Sequence, residues 1–277
     1  MQSRKLRVLL RHRGAVAGMT LIAGVILGAL LVTLFTPHDP GRVIQGKDAE
    51  DPSGSHWLGT DTFGRDILTR LALAAWRSLL IGLSAVAFSA TLGTLIGGVS
   101  GYFGGWADGI TMRVIDIMMA FPRILLAILI ATLIGKGMDT VIIAVGITGI
   151  PTFARQIRGS VLAIREMEFV PASRALGSSP WRILFVHVLP NALGPIIVLA
   201  TLGIGGAVLE AAGLSFLGLG VETDTPEWGA MLFDGRKIFR ISPWLAVFSG
   251  AAITLTVLAF NLFGDGLRDA LDPRTKP

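Results

Sequence analysis

Residues 165–191 read REMEFVPASRALGSSPWRILFVHVLPN, a polar, proline-punctuated insert between strongly apolar runs. The spacing predicts two short helices. The first covers Phe169 to Leu176, with Phe169, Ala172 and Leu176 on one face, and ends at Gly177. Pro180 opens the second at its first turn, where a missing N–H leaves no bond unmade, and Trp181, Leu184, Phe185 and Val188 form its apolar stripe. Counted from Arg155 the insert is about 35 residues long, and two such helices across the mouth of a membrane protein would present a knob to another protein.

Outward from the insert the chain is lipid-like. Of 277 residues, 52% are apolar and 16% charged, with a mean hydropathy of +0.68, against about 25% charged in average soluble usage. A helix needs about 20 largely apolar residues to cross the hydrocarbon core. Such runs occur at Ala15–Phe35, Ser78–Tyr102, Ile110–Ile134 (with Pro122-Arg123 inside), Thr140–Phe153 (ending or kinking at Pro151), Leu189–Leu214 and Trp244–Phe263. The first is too long for a signal-peptide core and lacks a small-residue cleavage site, so it reads as a retained span. The fold expected is all-α integral membrane, with six transmembrane helices.

Six spans place both termini on one side. With the N-terminus inside, 14 of the 24 Lys and Arg residues lie inside and 9 outside, which by the positive-inside rule gives N-in, C-in. The excess includes Arg4, Lys5, Arg7, Arg11 and Arg13 of the leading tail, so the basic balance needs no nucleic acid. The expected organisation is a basic cytoplasmic tail (1–14), a first helix (15–36), an extracytoplasmic loop (37–77), a five-helix domain (78–265) with a cytoplasmic loop at about 154–190, and a tail (266–277). Glycines four apart (Gly14/Gly18, Gly24/Gly28, Gly93/Gly97, Gly97/Gly101) suit close helix packing.

Several chemistries are excluded. There are no cysteines, hence no disulfides or thiolate sites. His12, His38, His56 and His187 are scattered, and no metal site is expected. No GxxxxGK[ST] loop occurs, and the Gly-Lys pairs at 46–47 and 135–136 lack the flanking residues that cradle phosphates. ATP binding by that route is absent.

The 165–191 segment resembles the E-A-A loop of integral membrane subunits of ABC importers, in the spacing E-A-A, three residues, Gly, nine residues, Ile, one residue, Leu-Pro. Ala172 matches the first Ala, Gly177 the Gly, and Leu189-Pro190 the Leu-Pro; Pro171, Ser173 and His187 depart from it. The strings EFVPASRALG and HVLPN are similar to the di-/oligopeptide and nickel permease branch, in its second-permease subunit. HWLGTDTFGRD (56–66), with Arg70 beyond it, and NLFGDGLRDALDP (261–273) extend the resemblance over nearly the whole chain.

The resemblance implies a type I ABC importer permease fold and a transport subunit with no ATPase site of its own. It implies a second permease, two ATPase subunits that hold ATP and Mg, and an extracytoplasmic solute-binding protein. It also assigns ATPase docking to Glu168, Phe169, Ala172, Ser173, Arg174, Ala175, Leu176, Gly177, His187, Leu189 and Pro190.

The remaining residues carry two readings each. Trp57, Asp61, Arg65 and Asp66 either dock a binding protein or form a folded loop whose charges satisfy one another. Glu210, near the outer end of span five, either contacts a peptide's amino group or lines a gate, or pairs structurally. Arg113 and Asp116, three apart, favour a structural pair; Arg123 marks a path-lining position or a helix boundary. A lone His187 makes a poor nickel site. Asp265, Asp269 and Asp272 with Arg268 and Arg274 read as a solvated, partly paired helix.

Peptide import leads, with nickel or another small solute through the same machinery as the alternative. An ion-coupled secondary transporter would show internal repeats and midplane acids, and a membrane enzyme would show a Ser/His/Asp set or an HExxH pair. Neither pattern is clear in this sequence.

Overall fold

The computed structural model describes residues 9–10, 12–222 and 224–271, and every regular element among them is helical. In chain order these are α1 (Arg13–Phe35), α2 (Ile67–Phe103), α3 (Gly105–Ala120), α4 (Arg123–Ile134), α5 (Met138–Ile164), α6 (Phe169–Ala175), α7 (Pro180–Arg182), a π-helical turn (Ile183–Val188), α8 (Leu189–Phe216), α9 (Trp228–Ile238) and α10 (Trp244–Leu271). α1, α2, α5, the continuous rod from α7 to α8, and α10 are long and apolar enough to span a bilayer, and α3 with α4 makes a sixth, bent pair. The basic residues Arg4, Lys5, Arg7 and Arg11, and Asp272 and Arg274 of the tail, lie outside the described residues.

Four boundaries differ from expectation, each for a local reason. α2 begins at Ile67 rather than Ser78, because Asp66 caps it by accepting from the Thr69 N–H at 2.8 Å and from the Thr69 hydroxyl, so the loop ends at Asp66. The expected single third span is broken at Phe121-Pro122, where α3 and α4 meet at 95°. Proline forces its predecessor out of the α region, and Phe121 is extended at φ −91°, ψ 139°. Pro151, by contrast, does not end α5, which continues to Ile164, since buried neighbours hold a proline-containing helix in place.

The fourth difference is that α7, the π turn and α8 form one rod through Pro190. Inside a helix the ring of Pro190 meets the preceding turn. The wider turn just before it, with the Leu189 N–H bonded to the Leu184 carbonyl, opens that turn. α10 likewise runs on from Phe263 to Leu271.

α2 and α5 pack along most of their length. A Cβ at Gly93 would stand 2.6 Å from the Phe153 Cβ, one at Gly97 would collide with the Ala154 carbonyl, and one at Gly101 would lie 3.1 Å from Arg158. Here the four-residue glycine spacing is a contact face. Gly18 similarly lets α1 approach the backbone of α10 at Ala259 and Phe263, whereas Gly24 and Gly28 face open space and make no packing face within this chain.

α9 was not expected. It starts at Glu227, which is buried and accepts from the Gly229 and Ala230 N–H groups at 2.9 Å and from the Ser78 hydroxyl at 3.1 Å. Trp228, also buried, donates its indole N–H to the Leu71 carbonyl at 3.1 Å. α9 is thereby sealed against α2, α8 and α10.

Candidate functional site

The knob expected from residues 165–191 is α6 and α7 with the loop between them. α6 ends in a Schellman motif: Gly177 takes φ +80°, its N–H bonds the Arg174 carbonyl at 3.0 Å, and the Ser178 N–H bonds the Ser173 carbonyl at 3.1 Å. That left-handed position favours glycine, and a Cβ there would meet nothing within 4 Å. The turn itself, and not crowding, fixes the residue type. The Ser173 hydroxyl donates to the Phe169 carbonyl and holds the helix internally.

Of the residues expected to dock a partner, Glu168, Phe169, Ala172, Arg174, Ala175, Leu176 and Gly177 are exposed, with Leu176 at 88%. Val170 is buried and anchors α6. Ile183, Leu184, Val188 and Leu189 turn inward, while Trp181 and Phe185 stay exposed. The expected stripe therefore splits, because the π turn changes the angular step between residues. Trp181 stacks on Phe185 and meets Phe103, with centroids 6.0 and 4.7 Å apart. His187 lies in the π turn, and the Asn191 amide donates to its carbonyl at 2.6 Å.

Behind the knob, charged side chains tie α3 and α2 to α5 and its end. Arg158 clasps Asp108 through two 2.7 Å bonds, and Arg165 donates to the Gly101 carbonyl. Asp116 pairs with Arg155 at 2.7 Å and not with Arg113; the partner lies on another helix, beyond the reach of an i,i+3 argument.

Within the bundle the structure joins two residues that the sequence left apart. Arg123 Nη2 donates to Glu210 Oε2 at 2.9 Å, and the other Glu210 oxygen accepts from the Thr148 hydroxyl at 3.1 Å. Glu210 lies six residues inside the end of α8, about 9 Å along the axis, so it sits deeper than an end-of-span residue. Arg123 is the first residue of α4 and reaches that depth because the chain bends just before it. Arg123, and not Glu210, lines a cavity of about 270 Å³ between α2, α5 and α8.

The 56–66 segment folds on itself. Asp61 takes the Arg65 guanidinium at 2.7 Å and lies 3.4 Å from Arg70 Nε; His56 Nδ1 and Asp66 Oδ1 are 3.0 Å apart; Arg70 also donates to the Pro40 carbonyl. His56, Asp61, Arg65, Asp66 and Arg70 are buried, and Trp57, 71% exposed, points outward. His38, 18 residues from His56 in sequence, is brought to 4.8 Å between ring centroids. With Asp66 these histidines form a group of three ligand-type side chains that no sequence spacing announced. At the other end His12 pairs with Asp269 at 3.1 Å.

Residues 93–277 match the family of binding-protein-dependent transport system inner membrane components, and residues 3–52 match the N-terminal transmembrane domain of oligopeptide transport permease C. The chain is 46% identical over 266 residues to the dipeptide transport system permease protein DppC of Alkalihalophilus pseudofirmus, covering 96% of this chain and 88% of that one. It is 44% identical over 271 residues to the glutathione transport system permease protein GsiD of Pectobacterium atrosepticum, covering 98% and 90%. In three dimensions it is similar to a chain of the inward-facing MetNI methionine ABC transporter, with a TM-score of 0.59 at 20% identity over 73% of this chain and 96% of that one.

Proposed function

This chain belongs to the binding-protein-dependent transport system inner membrane components, and from that membership we propose that it is one of two permease subunits of an ATP-driven importer of di- and oligopeptides. Relatives that carry dipeptide and glutathione permease names along nearly the full chain support the peptide class. The chain then houses half of a translocation path in the bacterial inner membrane. It pairs with a second, different permease and receives solute from an extracytoplasmic binding protein. ATP and Mg are held by two partner ATPases, and the chain carries no catalytic site of its own.

The observation that carries the coupling role is the exposed knob. Leu176 stands 88% exposed at the tip of a helix whose own anchor, Val170, is buried. A rigid apolar tip on a fixed turn suits insertion into a groove of a partner, and exposed apolar groups of this kind mark interaction sites. Nucleotide-driven closure of the ATPases would move α6, and the continuous rod from α7 to α8 would carry that movement into the bundle.

The test is uptake of a labelled dipeptide and of labelled nickel in cells with and without the gene. Loss of dipeptide uptake alone, restored by the wild-type gene, is the expected result. Loss of nickel uptake alone would move the solute class and leave the coupling argument standing.

A further inference from the structure

Resting on the peptide-importer reading, we propose that Arg123 is the residue of this chain that receives the carboxylate of the passing solute, with Glu210 as the group that positions it. The two partners are unequally placed. The Glu210 side chain is 11% exposed and has both oxygens engaged, one by Arg123 and one by Thr148. The Arg123 side chain is 56% exposed and lines the 270 Å³ cavity.

An arginine carries five N–H donors in a planar fork, and a single bond from Nη2 to Glu210 leaves most of that fork for a solute. Guanidinium and carboxylate meet in a bidentate geometry that an ammonium cannot reproduce. A solute's amino group, in contrast, finds the acid walled in behind the base. Glu210 thus offsets the charge of Arg123 while the cavity is empty and fixes where the fork points.

Three further features favour a solute over a purely structural tie. Ionisable side chains in membrane spans generally mark solute pathways. The cavity lining includes Gly149, whose Cβ would stand 4.0 Å from the Arg123 guanidinium, with Gly203 and Ala207, and Gly206 faces open space where a Cβ would sit. Leu199 and Leu202 also line a larger, adjacent cavity of about 610 Å³ that reaches Gln156, Asn191 and Arg268, so the two spaces are separated by no more than these side chains. The positive end of the α4 backbone dipole at Arg123 adds to the attraction for an anion.

The experiment uses the whole transporter in proteoliposomes, with saturating binding protein loaded with either a dipeptide or the same dipeptide amidated at its C-terminus. Maximal rates are compared, so the binding protein's own affinity drops out. The wild type is expected to move the free acid about tenfold faster than the amide. R123Q should slow the acid about tenfold, leave the amide within twofold, and so erase the preference. R123K, which keeps the charge without the fork, should keep part of it and serves as the readout if R123Q does not assemble.

The double exchange R123E/E210R separates recognition from structure: it should restore assembly of the complex while the preference stays lost. Equal slowing of both peptides by the single variants, a restored preference in the double exchange, or no preference in the wild type would overturn the carboxylate site alone. A wild-type complex that moves neither peptide would overturn the peptide reading and the site with it.

Discussion

At the end formed by the 56–66 segment and the start of α9, Asp61, Arg65, Asp66, Arg70 and Glu227 are buried and bonded to one another or to backbone, while at the end formed by α6 and α7 Leu176, Trp181 and Phe185 stand exposed. Each end has inverted the usual assignment of charge to the surface and apolar groups to the interior. At the first end, charges bonded within the chain lock α2 and α9 into one cap. At the second, apolar groups stand uncovered at the tip of a fixed turn. The same inversion therefore means rigidity at one end and, on the reading proposed above, a docking surface at the other.

The largest expected effect is at the knob. Gly177→Asp places a charged side chain at φ +80° beside Leu176, in space that is open within this chain. The fold should persist, because nothing in the chain is displaced and the backbone strain is about 1 kcal/mol. Transport should nevertheless be lost, together with co-purification of the ATPase subunits, at normal membrane abundance. Wild-type recovery of the ATPases with this variant would remove the knob from the comparison.

Asp61→Ala should have the opposite profile. It leaves Arg65 and Arg70 buried without their shared acid, a change of about 3–5 kcal/mol for a broken buried pair. Thermal unfolding in detergent should fall steeply, and ATPase co-purification per folded molecule should stay unchanged. If stability held and docking fell, the two ends would not be separable in this way.

How much of this was legible beforehand follows from the range of the signals. The knob was read from 165–191 because its determinants are local: a proline at a first turn, a glycine at a helix end, a polar interruption between spans. The five long apolar helices and the bent pair were legible as charge-poor runs of spanning length. The Arg123–Glu210 pair was not legible, since it joins positions 87 residues apart through a 95° break whose angle no periodicity encodes. Phe121-Pro122 gave the place of the break and nothing about its direction.

The π turn was hidden for a related reason. A 3.6-residue stripe assigns Trp181, Leu184, Phe185 and Val188 to one face, and the wider turn sends only some of them inward. α9 was missed because its signal was compositional noise beside the spans: a polar, glycine-containing segment whose first turn is secured by Glu227, a residue not usually counted among capping types. Glu227-Trp228-Gly229 as carboxylate acceptor, anchor and close-packing residue is visible only once Ser78, Leu71 and Ala212 are seen around it.

Glu227→Gln sharpens the comparison with a smaller effect. The amide keeps one oxygen for the α9 N–H groups but loses the charge-assisted acceptor that serves Gly229, Ala230 and Ser78 together. A loss of about 1–2 kcal/mol is expected, in the range of a weakened helix cap. It should appear as a lower melting temperature with unchanged uptake at the growth temperature. A loss of uptake at full stability would give α9 a role beyond sealing the cap.

Trp57→Ala is expected to change stability least, by under about 0.5 kcal/mol, as for a surface substitution away from any bonded network. Trp57 is the one member of the expected docking set Trp57, Asp61, Arg65 and Asp66 that the fold leaves at the surface. It is also flanked by Leu58 and the buried His56, so its backbone is held while its ring is offered outward. If this end has a partner-binding role of its own, it must run through such a residue, because the charges beneath it are buried and paired within the chain. Uptake measured against binding-protein concentration resolves the point: a higher half-saturation concentration with an unchanged maximal rate makes Trp57 an outside counterpart of Leu176, and an unchanged curve leaves the knob as the molecule's exposed apolar contact and the outer end as a closed cap.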